Sequence, residues 1–308
     1  MANEFLYSGS GDLRLSEVLA AEYRELLKDR FSLMGHPAIQ YAGNCAASGS
    51  TVIKVPLIGL SGYDRMSAVA ENASSSNVAV TDASATITVA RQALQRQISD
   101  LNQLTDSIGA NLDALIRDGV GAYSMRWMEM LCSLVDDFAT TSSPGSGVDL
   151  TVSDFLTAQF SLIQNSVPGP YVALLYPVQV TDLMSSLRSE SGVLERRSDA
   201  QDFFTTKAGV GQHGSLNGID IFSSTLVPSA NAGADSAGGM FGLGAIAYAD
   251  GAPVAIRGAG DVVFPAGQKL YTELERDAAG ALTKIVHNAF LGFSEIEDLR
   301  GVSIISDR

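Results

Sequence analysis

Between Leu101 and Phe138 one apolar pattern constrains the fold more than any other part of the chain. Leu101, Leu104, Ile108, Leu112, Leu115, Tyr123, Trp127, Leu131, Leu134 and Phe138 recur mostly at three- and four-residue steps, and the pattern falters only around Gly119 and Gly121. That period places the side chains on one stripe of an α-helix. Thr105 or Asp106 can cap its start, and Thr141-Ser142-Ser143-Pro144-Gly145 stops it. A helix of roughly 35 residues is about 52 Å long. A round globule of this chain length has a radius of gyration of only ~19 Å, so the helix matches the whole diameter of such a body. A flat or elongated molecule accommodates it more easily.

Two segments ahead of the helix have apolar surface and nothing local to cover it. Residues 12–34 place Leu13, Leu15, Val18, Leu19, Tyr23, Leu26 and Leu27 among Glu17, Glu22, Glu25, Lys28 and Arg30, an amphipathic arm that Gly35-His36-Pro37 ends. Val52, Ile53, Val55, Leu57 and Ile58 predict a strand, and Ile87 and Val89 alternate with polar residues over 86–91. Roughly 27 residues rich in Gly, Ser, Ala, Asn and Asp separate the two, too long for an ordinary loop in a compact domain. A protruding hairpin fits better, with Val78 and Val80 extending its second strand. An isolated hairpin is marginal in water, so a partner surface is implied.

Residues 146–254 change to an α/β pattern. Ser153 is placed to cap a short helix bearing Phe155, Leu156, Leu162 and Ile163, residues 171–176 read as a buried strand, and Pro177 opens a second short helix through Leu183 and Leu187. A strand at 219–222, a small-residue loop over 229–239, and strands at 240–249 and 253–256 follow. The chain returns to β at 262–264, then 269–276 and 282–293 form a long hairpin turned by Asp277-Ala278-Ala279-Gly280.

Chemistry-bearing motifs are sparse. Gly209-Val210-Gly211-Gln212-His213-Gly214 spells a dinucleotide fingerprint, but a strand and not a helix is expected after it, so a loop is predicted. His36, His213 and His287 have no metal-ligand spacing, and no G-x-S-x-G elbow occurs. The pairs Asp136-Asp137 and Glu295-Glu297 read as solvated edges, and Cys45 and Cys132 as reduced, buried thiols. No catalytic, cofactor-binding or metal-binding residue is assigned, and the chain is expected not to be an enzyme. With 34 acidic against 20 basic residues the net charge is −14, and the bases are scattered. Tight phosphate binding is therefore not expected, although this charge balance does not argue against merely surrounding nucleic acid. No run approaches the ~18 to 20 apolar residues of a membrane span, and the N-terminal residues lack the layout of a signal peptide.

The order of these pieces, with the phrases 171–177 (YVALLYP), 218–222 (GIDIF) leading to Val227-Pro228, the segment 240–255, and the ending 292–302 (GFSEIEDLRGV), resembles the tailed-phage major capsid proteins of the Hong Kong 97-like fold. The resemblance implies an α+β capsid fold. It has an N-terminal arm (1–50), an extended β-hairpin loop (51–92), a peripheral domain with a long spine helix (93–145), an axial α/β domain (146–257) and the C-terminal strands of the peripheral domain (258–308). It implies hexamers and pentamers of an icosahedral head enclosing double-stranded DNA, located in the virion and assembled in the host cytoplasm. Inter-subunit contacts are expected from Leu60, Tyr63, Asp64, Arg65 and Met66 of the extended loop and from Leu15, Leu19, Tyr23 and Leu26 of the arm. Expected partners are further copies of the chain, a portal, packaged DNA without sequence-specific contact, and no membrane. A separate scaffolding protein is expected because only about 45 residues precede the first strand, too few for the long helical extension of a fused scaffold. Some members weld subunits through an extended-loop lysine; between Ile58 and Thr86 this chain has Arg65 and no lysine, so no such crosslink is expected. The alternatives are an encapsulin-like shell around a protein cargo, which shares the fold, and a soluble α/β enzyme whose site converges from distant residues.

Overall fold

The computed structural model describes residues 33–45, 49–59, 68–69, 71, 73–74, 81–100, 108–189, 212–251, 260–263 and 269–308. The predicted helix is present as α1, Ile108–Val135, about 42 Å long at 1.5 Å per residue. It runs unbroken through Gly119 and Gly121 and ends three residues before Phe138, which is buried beyond the helix.

Two sheets flank α1. The first contains β1 (Ile39–Asn44), β4 (Ala90–Ser99), β11 (Ile246–Asp250), β12 (Gly260–Val263), β13 (Lys269–Asp277) and β14 (Leu282–Glu295). β14 is its axis: Leu282 to Leu291 pair with β4, Leu282 to Ala289 with β13, and Leu291 to Glu295 with β11. The predicted hairpin of β13 and β14 is observed. β1 and β4 were not expected. β4 (ARQALQRQIS) is mostly polar and its large apolar residues are only Leu94 and Ile98, with Ile98 its one buried residue, so its sequence has little of the alternation that marks a strand.

The second sheet runs β5 (Thr141–Ser142), β15 (Gly301–Asp307), β10 (Asp235–Phe241), β6 (Tyr171–Leu175), β8 (Ile219–Ser223) and β7 (Gln212–Leu216), with β9 (Ser229–Ala230) paired to β10. It is covered by α2 (Val152–Gln164) and α3 (Pro177–Ser189). Thr151, not Ser153, caps α2: its Oγ1 accepts from Asp154 N, while Asp154 Oδ2 accepts from Thr151 N at 3.2 Å, a reciprocal capping box. The loop expected over 229–239 is largely strand, and all seven residues of β10 are buried. Small residues there reflect crowding and not turn chemistry. A Cβ on Gly238 would meet Gln179 Oε1 at 2.6 Å, and one on Gly239 would meet Val135 Cγ1 at 2.3 Å. Likewise the expected strand over 240–249 is two strands in different sheets, β10 and β11, joined by a turn in which Gly244 has φ +84°.

Close approaches at glycine seat α1 on both sheets. Toward its N-terminal half, a Cβ on Gly119 would lie 2.4 Å from His287 Nε2 on β14. Past its C-terminal end, a Cβ on Gly301 of β15 would strike the Phe138 ring at 2.1 Å. Ser303 Oγ of β15 donates to the helix-end carbonyl of Val135 at 2.8 Å, satisfying an acceptor the last helical turn leaves open. Between these points Trp127, Leu131 and Val135 join Tyr248 and Phe293 of the first sheet and Val172, Leu174 and Phe241 of the second in one core. Trp127 and Phe293 meet edge to face, with centroids 5.1 Å apart and planes at 83°. A second core lies beneath α2 and α3. There Gln179, fully buried, donates from Nε2 to Ser236 O at 3.0 Å and Ser306 Oγ at 2.9 Å, and its Oε1 accepts from Tyr176 N at 2.9 Å. One side chain thus ties α3 to β10 and β15.

Candidate assembly surfaces

The expected hairpin is present at its base. β2 (Val52–Gly59) pairs antiparallel with β3 (Thr81–Thr88) in continuous register from Val52↔Thr88 to Gly59↔Thr81, as a two-stranded sheet of its own. Ile87 and Val89 are buried with Ala247, Ala249 and Ile296, and Ile53, Val55 and Leu57 pack partly against them. The base is thereby fixed to the first sheet. Val89 is the corner where β3 leaves that sheet and β4 continues it; its N–H donates to Thr51 O at 2.8 Å, closing the ribbon. Gly292 of β14 makes the crossing possible, because a Cβ there would lie 2.3 Å from Thr88 O.

The loop residues Leu60, Tyr63, Asp64, Arg65 and Met66, and the arm residues Leu15, Leu19, Tyr23 and Leu26, lie outside the described residues. A different apolar surface is in view. On α2, Leu156, Phe160 and Ile163 follow an i, i+4, i+7 spacing and are 40, 63 and 54% exposed. The inward face of α2 is carried by Phe155, Ala158, Gln159 and Leu162.

The carboxylates read as separate solvated edges converge. Asp136 and Asp137 follow the end of α1, Glu295 is the last residue of β14, and Glu297 and Asp298 come just after it. Asp298 Oδ1 accepts from Ala139 N at 2.7 Å, linking the two. Burial, then a hydrogen bond with Asp298, and then the charges of Asp298 and Asp137 push the Glu295 carboxyl up to about 7. Burial and Asp137 also raise Asp136. Glu297 is paired with Arg300. Glu295 is thus partly buried, with its carboxyl shifted toward the protonated form, and not the solvated edge expected from the sequence; the long stretch of chain between the two pairs hid the cluster.

The histidines stay apart, each with its own local partner. His36 Nδ1 accepts from Ala38 N at 3.2 Å, so Nε2 is the donor toward Asp220 Oδ2 at 3.3 Å. His213 Nε2 is 2.6 Å from Ser223 Oγ, and His287 Nδ1 is 3.0 Å from Thr272 Oγ1. Among the described residues no three His, Cys, Asp or Glu side chains group as a metal site. The glycine-rich run was expected as a loop. Its residues 212–214 instead begin strand β7, so no helix N-terminus follows to hold a phosphate. Cys132 is buried, which pushes its thiol up to about 12, whereas Cys45 is only half-buried; the two are not joined in a disulfide.

No protein-family model matches the sequence, and no curated protein does. Solved structures do. The capsid of the cyanophage P-SCSP1u matches with a TM-score of 0.60 at 14% identity, over 87% of this chain and 86% of that one. The acidic stable capsid of Helicobacter pylori bacteriophage KHP30 matches with a TM-score of 0.59 at 14% identity, over 92% and 91%. The holo-SrpI encapsulin complex from Synechococcus elongatus PCC 7942 matches with a TM-score of 0.53 at 10% identity, over 85% and 82%. The mixed sheets, the helix seated across both and the hairpin leaving at Val89 therefore make up the Hong Kong 97-like fold of tailed-phage major capsid proteins.

Proposed function

We propose that this chain is the repeating subunit of an icosahedral phage head, assembling as hexamers and pentamers around double-stranded DNA. The observation that carries the reading is the match of about nine-tenths of the chain to phage capsid structures. The hairpin adds physical support: its base is anchored in the subunit, and residues 60–80 form the span between Gly59 and Thr81, which are paired. A two-stranded ribbon gains stability from a third surface, and a closed symmetric assembly supplies one on every neighbour. Leu60, Tyr63, Asp64, Arg65 and Met66 are the proposed loop contacts, and Leu15, Leu19, Tyr23 and Leu26 the proposed arm contacts. The role is structural and not enzymatic. The net charge of −14 suits a wall against which DNA moves without being held. A separate scaffolding protein and a portal complete the proposed partners, and the virion is the proposed location.

A shell around a protein cargo is the second reading, favoured by the encapsulin match. The contents of purified particles separate the two: nuclease-protected DNA of genome length supports the phage head, and a co-purifying enzyme supports the compartment. For the hairpin, replacing residues 60–80 by Asn-Gly joins two paired strand ends by a two-residue turn. The shortened subunit keeps its circular dichroism spectrum and loses closed shells. Normal shells from it refute the role given to the loop.

A further inference from the structure

We infer that the exposed face of α2, centred on Phe160 and Ile163, is a contact surface for a second copy of this chain. The inference rests on the shell-subunit reading and names a surface within it. Phe160 is 63% exposed and Ile163 54%, with Leu156 beside them on the same face. At the C-terminal end of α2 the patch is continued by Leu299, 53% exposed, whose carbonyl accepts from Asn165 Nδ2 at 3.0 Å. Leu243 follows, held there by its N–H to Pro168 O at 3.2 Å and its carbonyl to Arg300 Nη1 at 3.0 Å. Five large apolar side chains so exposed amount to several hundred Å², the size at which an apolar patch marks an interaction site. That supplies the apolar centre of the ~800 Å² each partner contributes to a stable interface. Arg300 and Glu297 form an ion pair beside Leu299, the polar rim such a centre requires.

Charge selects the occupant. Residues 155–181 contain no Asp, Glu, Lys or Arg, in a chain whose charged fraction is 18% and whose net charge is −14. Copies of so acidic a protein repel one another over most of their surface. They approach at least cost where no charge lies, and the α2 face is such a place. A nucleic acid has nothing to bind on an uncharged apolar face.

The test uses the full-length chain under conditions in which the wild type assembles. Phe160→Asp and Phe160→Leu are compared by analytical ultracentrifugation, with circular dichroism melts as the folding control. The aspartate variant should lose at least tenfold of the particle-sized material and the leucine variant should retain it. Full assembly by a folded Phe160→Asp overturns the α2 contact and leaves the shell reading standing, whereas failure of the wild type itself to form particles overturns the shell reading. A photoreactive benzoylphenylalanine at position 160, in assemblies mixed from ¹⁴N- and ¹⁵N-labelled chains, gives a second readout. Mixed-isotope crosslinks are expected; crosslinks only within one chain, for instance to residues 1–32, overturn the inference.

Discussion

A double-mutant cycle on Gly119 and His287 measures how closely the spine helix is pressed onto the first sheet. A methyl group at position 119 would lie 2.4 Å from His287 Nε2 and 2.5 Å from both Cδ2 and Cε1, so it strikes the end of a rigid ring. Ordinary contact needs ~3.5 Å, and moving the ring by that difference strains the 3.0 Å contact of its Nδ1 with Thr272 Oγ1. A cavity of about 210 Å³ lined by both residues, Tyr123 and Leu270 limits the cost, because the ring can shift partly into it. Overpacking costs ~1–3 kcal/mol and the strained hydrogen bond about 1 kcal/mol, against a gain of about 1 kcal/mol for alanine over glycine in a helix. Gly119→Ala is therefore expected to destabilise by about 2 kcal/mol. His287→Ala, which empties a site only 2% exposed, should cost about 2–4 kcal/mol. In the double variant the new methyl group occupies space the ring has left, so the total should fall short of the sum by about 2 kcal/mol. Urea unfolding of the unassembled subunit, followed by the fluorescence of Trp127, the single tryptophan, reports from the same helix. Additivity within ~0.5 kcal/mol refutes the close seating.

Two further perturbations probe other joints. Gly292→Ala would press a methyl group against the backbone of Thr88, at 2.3 Å from its carbonyl oxygen, with no flexible side chain to yield. A loss of about 3 kcal/mol is expected, with faster proteolysis at the hairpin base; a wild-type urea midpoint contradicts the crossing. Glu295, raised to about 7 from 4.5, keeps its proton in the folded state where the unfolded chain has released it. The stabilisation is thus fully present below about pH 4.5 and lost as pH rises through about 7. Glu295→Gln should flatten that dependence and leave the variant about 1–2 kcal/mol more stable than wild type at pH 8, after discounting for partial solvent screening. Parallel stability–pH curves for the two proteins contradict this account of the carboxylate cluster.

The sequence was most legible where a periodic apolar pattern had length. α1, the β13–β14 hairpin and the paired base of the extended hairpin all follow directly from side-chain spacing. Strands without that pattern were missed: β4 because its neighbours leave most of its side chains in solvent, and β10 because crowding demands small residues that also favour turns. The choice of sheet was not readable either, since β10 and β11 are separated by four residues and part company. Nor was the convergence of Asp136, Asp137, Glu295 and Asp298, which depends on where α1 and β14 end in space. Which apolar residues of α2 the chain itself buries was not readable either: Phe155 and Leu162 face inward while Leu156, Phe160 and Ile163 are exposed, and apolar spacing does not say which face a helix buries.

The central claim is that this subunit is one tile of a closed shell. Mass measurement of the purified chain, alone and co-expressed with a candidate scaffolding protein, by sedimentation velocity and negative-stain microscopy tests it most directly. The account predicts megadalton, hollow icosahedral particles or their hexameric and pentameric capsomers. A stable monomer or small oligomer at high concentration, with no larger species under any assembly condition, contradicts it.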